Sequence, residues 1–207
     1  MRRRRLAGVA LTLAAVTTAL VLGANSALAD TTLTLTYPVS GSTFVEATNA
    51  SLGLGPGSLT ATADLNTGAV TGSLSLPDST GSFTELGIVP VTATVAFTEE
   101  GPVTGTLNLN TGAITATVNI ELRITDLKVS GIDTLVGPNC QTVTPAQISV
   151  VSQAGFNVAA GGPVAGTYTI PDFNNCGLLD VEAPLINLTI PGPGNTIALT
   201  LGAPSVG

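Results

Sequence analysis

Oily and wet positions take turns along most of this chain. Leu33, Leu35 and Tyr37 alternate with Thr32, Thr34 and Thr36. Val91, Ala93, Val95 and Phe97 alternate with Thr92, Thr94 and Thr98 around Ala96, and Leu74 and Leu76 flank Ser75. A period of two is that of a β-strand with one buried and one solvated face. Threonine and valine, which dominate these runs, are β-branched and sit better on a pleated surface than in a helix.

The clearest run spans 113–129. Ile114, Ala116, Val118, Ile120, Leu122 and Ile124 share one parity, and Thr115, Thr117, Asn119, Glu121 and Arg123 the other. After Thr125 and Asp126 the parity flips to Leu127 and Val129. A one-residue shift moves every later side chain to the opposite face, so a β-bulge or sharp bend is predicted at Thr125-Asp126. Such a bend would let one long strand pass from one sheet to another.

The stretch Leu65-Asn66-Thr67-Gly68-Ala69-Val70-Thr71 recurs as Leu109-Asn110-Thr111-Gly112-Ala113-Ile114-Thr115. Asn followed closely by Gly between alternating runs predicts a short hairpin loop at each copy. Two copies are too few for a solenoid. Beyond Leu135 the texture changes. Gly137-Pro138, Gly161-Gly162-Pro163 and Pro191-Gly192-Pro193-Gly194 punctuate shorter predicted strands at 148–151, 164–170, 185–190 and 196–201. Residues 144–154 are also compatible with a short helix. Strands at close spacing with Gly/Pro turns predict an all-β, antiparallel β-sandwich of immunoglobulin-like or jelly-roll-like type. A closed β-barrel is the alternative and a right-handed β-helix the third choice. Residues 30–207 read as one domain, with a subdivision conceivable near 136 that would leave 137–207 as the disulfide-linked part.

The first 29 residues have a different character. Arg2 to Arg5 precede an apolar run from Leu6 to Gly23, and Ala27-Leu28-Ala29 supplies small residues before Asp30. This order predicts a secretory signal peptide cut between Ala29 and Asp30, by the general or the twin-arginine route. The uncleaved alternative is a membrane anchor. Cleavage implies a product released outside the cell or held at the cell envelope, with no membrane insertion afterwards.

Cleavage also changes the charge. The whole chain carries −7, but four of its six cations are Arg2 to Arg5. The remaining 178 residues keep Arg123 and Lys128 against thirteen carboxylates, a net charge of −11. That argues against nucleic acid and against anionic membrane surfaces as partners. The partner is otherwise open, with a role in the envelope or self-association as the expectations.

Histidine is absent, which removes Ser-His and Cys-His nucleophilic catalysis and the commonest metal ligand. The carboxylates considered for glycoside hydrolysis, Glu99, Glu100, Asp126, Asp172, Asp180 and Glu182, have turn contexts that account for several of them, and no tryptophan offers a sugar platform. Asp78-Ser79-Thr80-Gly81 and Asp172-Phe173-Asn174-Asn175 hold oxygen ligands suited to calcium, but Asx turns explain both. The sequence therefore predicts no enzyme, no cofactor and no metal site. Recurring Thr-x-Thr pairs suit either an ordered binding face or the ordinary wet side of a strand. The two cysteines, Cys140 and Cys176, pair most simply with each other in an oxidising compartment, two free thiols being the alternative.

Pro138-Asn139-Cys140 with Thr142 and Pro145, Gly166-Thr167-Tyr168-Thr169-Ile170-Pro171, Asn175-Cys176-Gly177 and Gly192-Pro193-Gly194-Asn195-Thr196 resemble a group of small secreted β-rich proteins from actinobacteria, functionally uncharacterised as a group. The resemblance covers residues 135–201. It implies export, a Cys140–Cys176 bond and an actinobacterial source, and carries over no activity and no site residues.

Three roles follow as expectations. The first is a secreted or envelope-associated, non-enzymatic protein acting by surface contact. The second is a carrier of an apolar small molecule, with Phe44, Phe83, Phe97 or Phe156 lining its cavity. The third is self-assembly by strand addition through residues 31–37.

Overall fold

A computed structural model describes residues 31–85 and 87–206. The signal segment and its Ala29/Asp30 junction lie outside the described residues. Among the described residues fourteen strands, a short 3-10 helix (Leu178–Asp180) and one α-helix occur: β1 (Thr32–Val45), β2 (Ala50–Asp64), β3 (Ala69–Ser75), β4 (Ser79–Glu85), β5 (Val89–Glu99), β6 (Val103–Leu107), β7 (Ile114–Val129), β8 (Ile132–Asp133), β9 (Gln141–Thr142), β10 (Ala146–Ser152), β11 (Gly162–Ile170), β12 (Phe173–Asn174), α1 (Ala183–Thr189), β13 (Gly192–Leu201) and β14 (Ser205–Val206).

The all-β expectation holds, and the architecture is the barrel alternative. Eight antiparallel strands close in the order β1-β2-β3-β6-β7-β10-β11-β13 and back to β1. Closure is made by two long-range seams. β7 pairs with β10 from Ile120↔Ala146 to Thr115↔Val151, and β13 pairs with β1 from Leu201↔Val39 to Thr196↔Phe44. The strands thus belong to one continuous sheet, not to the two facing sheets of a sandwich.

Outer strands extend the wall. Beyond Ile120, β7 leaves β10 and pairs with β5, which carries β4. β4 runs beside the first half of β2, where the Ser79 hydroxyl donates to the Gly53 carbonyl. The expected bulge is present: Asp126 pairs with Thr94 and Ile124 with Val95, leaving Thr125 as the extra residue. β2 holds a second one, since Val39 faces Gly57 and Gly41 faces Leu54.

Both Asn-Thr-Gly hairpins form, at β2–β3 and β6–β7, and in the same way. The Asp64 carboxylate accepts from the amides of Asn66 and Thr67, and the Asn108 side chain accepts from those of Asn110 and Thr111. Gly68 and Gly112 close the loops at φ 76° and 74°, a region that only glycine enters without strain. β3 and β6 then pair with each other, so the two hairpins stand side by side in the barrel wall.

Residues 146–152, for which a helix was an option, form β10, flanked by β7 and β11. The predicted strand at 185–190 is instead helix α1. Pro184 lies in its first turn, where the missing N–H is not needed. Ala183 and Ile186, three residues apart, bury one face. Asn187 stands in for a strand partner: its side chain accepts from the Phe173 amide at 2.7 Å and donates to the Phe173 carbonyl at 2.9 Å.

Cys140 and Cys176 are bonded and fully buried. Around them Val136, Phe173, Ala183 and Ile186 form an apolar plug continuous with the barrel core.

A candidate binding lumen

Each barrel strand sends alternate side chains inward, and the inward set is apolar. On β1 the series runs Leu33, Leu35, Tyr37, Val39; on β7 it runs Ile114, Ala116, Val118, Ile120, Leu122; on β13 it runs Leu201, Leu199, Ile197. These side chains do not fill the interior. A chamber of about 80 Å³ lies among Val39, Leu54, Leu74, Phe97, Val118 and Leu199. A second, of about 60 Å³, lies above it among Leu35, Tyr37, Ala61, Val70 and Phe156. The two share Leu59, Val103, Ile114, Ala116 and Leu201 as a common wall. A solvent-open mouth of about 460 Å³ follows, sharing Leu33, Leu35, Phe156 and Val158 with the upper chamber. Mouth, upper chamber and lower chamber therefore succeed one another along β1.

Two tyrosines supply the polar atoms of this interior. At the lower end the Tyr168 hydroxyl lies 2.7 Å from Thr43 Oγ1, which itself donates to the Thr196 carbonyl at 2.9 Å. Thr43 has one hydroxyl proton, so Tyr168 is the donor in this chain. Burial pushes the Tyr168 phenol up from its ordinary range. Beside it the buried Asn195 accepts from the Glu46 amide and donates to the carbonyls of Tyr168 and Gly192. Nearer the mouth the Tyr37 hydroxyl donates to the Val158 carbonyl at 2.7 Å, and burial raises its pKa too. These hydroxyl protons are spent on protein acceptors, so the lumen offers an occupant almost pure hydrocarbon surface.

The phenylalanines expected at a cavity divide. Phe97 lines the lower chamber and Phe156 the upper chamber and mouth. Phe83 lines a separate side pocket of about 70 Å³ between β4–β5 and the β1–β2 turn. Phe44 alternates with the inward Thr43 and is half-buried on the outer surface. Tyr37, Thr43 and Tyr168 were missed by the sequence reading as a polar set. Their parity within alternating strands was the available signal.

Three of the six carboxylates considered for hydrolysis make local bonds, and the other three residues are placed by their backbone. Glu99 accepts from the Ser73 hydroxyl and the Leu74 amide, Asp126 pairs with Lys128, and Asp180 accepts from the Cys176 amide. That partner raises the Lys128 pKa. The backbone of Asp172 accepts from Val143, the backbone of Glu182 donates to the Cys176 carbonyl, and Glu100 donates to the Asn119 carbonyl. Of the calcium candidates, Ser79 to Gly81 belong to β4, and Phe173-Asn174 form β12 against β9. Among the described residues no group of three or more His, Cys, Asp or Glu is placed to hold a metal ion.

Threonines on the outer faces bond across strands. Thr34 meets Thr62 at 2.9 Å, Thr80 meets Thr94 at 2.8 Å, and Thr106 meets Thr115 at 2.8 Å. Such cross-strand pairs are the ordinary stitching of a wet sheet face. β1, the segment considered for strand addition, is held between β2 on one side and β13 with β14 on the other.

The chain matches no family model, no curated protein and no solved structure. The likeness of residues 135–201 to secreted actinobacterial proteins therefore stands on its motifs alone.

Proposed function

We propose that this protein is a secreted, non-enzymatic carrier of a small apolar molecule held in the barrel lumen. One observation carries the reading: the inward faces of eight strands are apolar, yet they leave two stacked chambers that lead to an open mouth. An eight-stranded barrel has an interior just wide enough to be filled by side chains or to hold one small ligand. The chambers together approach the size of a cavity of about 150 Å³ that stays dry and takes up benzene. Apolar inside and threonine-rich outside is the reverse of a membrane-spanning barrel, whose apolar band faces outward. A water-filled exterior and a dry interior suit a carrier.

The test fills the space. Ala116 lines both chambers. In Ala116→Leu the added carbons occupy void, so the variant should unfold at the same temperature as the parent or higher. Removing void is worth roughly 24 cal/mol per Å³. The same variant should no longer bind toluene, followed by methyl chemical shifts of the lumen residues. Protein isolated from its host without detergent should show an added mass in native mass spectrometry. Absence of both the mass and the toluene shifts in the parent overturns the carrier reading.

Surface contact with the envelope has its own support in the exposed Leu178, Leu179, Val181, Leu185 and Leu188 around α1. That role predicts an envelope-bound fraction in the host; recovery of all the protein from the medium removes it.

A further inference from the structure

The carrier reading leaves open what the mouth admits, and charge decides it. The mouth is lined by Leu33, Leu35, Thr111, Phe156, Asn157 and Val206 with their neighbours, and none of the described residues that line it has an ionisable side chain. The two cations among the described residues, Arg123 and Lys128, lie far along β7. β7 enters the wall at Ile114, beside the mouth, so Arg123 is nine residues further on. At about 3.4 Å per residue that is roughly 30 Å along the strand. Among the described residues the charged side chain closest to the mouth in register is Asp64, paired with Thr32 at the end of β2. Its carboxylate faces solvent and accepts from its own hairpin: the Asn66 amide, the Thr67 amide and the Thr67 hydroxyl all donate to it. Those bonds hold its pKa below the usual carboxylate range, so it stays negative.

Among the described residues an anionic head at this mouth would meet no cationic side chain, only a fixed negative charge and a strongly acidic chain. A cationic head at the rim would gain at most the exposed Asp64 carboxylate, which lies outside the lumen lining. Either ion drawn into the lumen would lose its hydration with nothing in exchange, which is prohibitive. A hydroxyl or ester can stay at the rim, among Thr111, Asn157 and exposed backbone, while its tail enters.

We propose that the lumen selects uncharged ligands, a neutral alcohol, ester or hydrocarbon, and rejects free fatty acids, phospholipids and alkylamines of the same tail. This rests on the carrier reading. The test titrates the purified protein at neutral pH with 1-octanol, octanoate and octylammonium, each below its micelle concentration, by calorimetry and methyl chemical shifts. Octanol should bind at least tenfold more tightly than either ion, and Ala116→Leu should lose it. An ion that binds as tightly as octanol, and is likewise lost in Ala116→Leu, overturns selection by charge and leaves the carrier standing. Failure of all three to shift a lumen methyl overturns the carrier reading and the selectivity with it.

Discussion

Replacing Gly166 by alanine is expected to cost at least about 4 kcal/mol, or to yield no folded protein, a size that only a few mechanisms reach. Gly166 sits mid-β11 between Val150 of β10 and Ile197 of β13. A Cβ there would lie 1.8 Å from the Ser149 carbonyl oxygen and 3.1 Å from the Val150 Cα. Both are backbone atoms of the neighbouring strand, so no rotamer change can relieve the clash. β11 would have to move off β10, and β10 is the strand through which β7 closes the barrel. The control is Gly53→Ala in β2, where an added Cβ meets nothing within 4 Å. That variant should keep or slightly raise stability by restricting the unfolded chain. Urea unfolding of the two variants checks the pair. A Gly166→Ala midpoint equal to the parent's would mean that the seam is not as tight as described.

This glycine shows where sequence reading stops. Alternation states which side chains share a face, and it did so correctly for β1, β5 and β7. It even located the bulge at Thr125, because an extra residue must flip parity. The same signature is written in β2, where Leu52 and Leu54 give way to Leu59, Ala61 and Ala63 across Gly55-Pro56. Alternation does not state what an inner face looks at. Whether it meets another sheet or curves round to meet itself depends on pairings such as Ala146↔Ile120, between segments that share no local signal. Gly41 and Gly166 let neighbouring strands approach where a Cβ would meet backbone, yet in sequence they resemble any turn glycine. The lumen inherits that blindness: each lining residue reads as ordinary core, and only closure reveals that the core is not full. The 185–190 segment failed for a different reason. Ile186, Leu188 and Ile190 alternate with Asn187 and Thr189 as in a strand, but Pro184 and tertiary packing override that local pattern in favour of a helix.

Removing the disulfide by Cys140→Ala with Cys176→Ala should lower stability by about 4 kcal/mol in the chain-entropy model. For a chain of this size that is a fall in Tm of roughly 10 °C. The bond spans 36 residues and encloses β10 and β11, two adjacent staves of the barrel. Its cost falls chiefly on the unfolded state, because other bonds already fix the same loops in the folded one. The Ile124 amide donates to the Cys140 carbonyl at 2.8 Å, the Gly177 amide to the Val136 carbonyl at 2.6 Å, and the Cys176 amide to the Asp180 carboxylate at 2.7 Å. The folded variant should therefore keep its shape, and 1-octanol affinity at 20 °C below its new Tm should equal the parent's. Differential scanning calorimetry read alongside the octanol titration separates the two effects. An unchanged Tm would deny the bond its role in stability. A lowered Tm with lost octanol binding would show instead that the plug around Cys140 and Cys176 shapes the lumen floor.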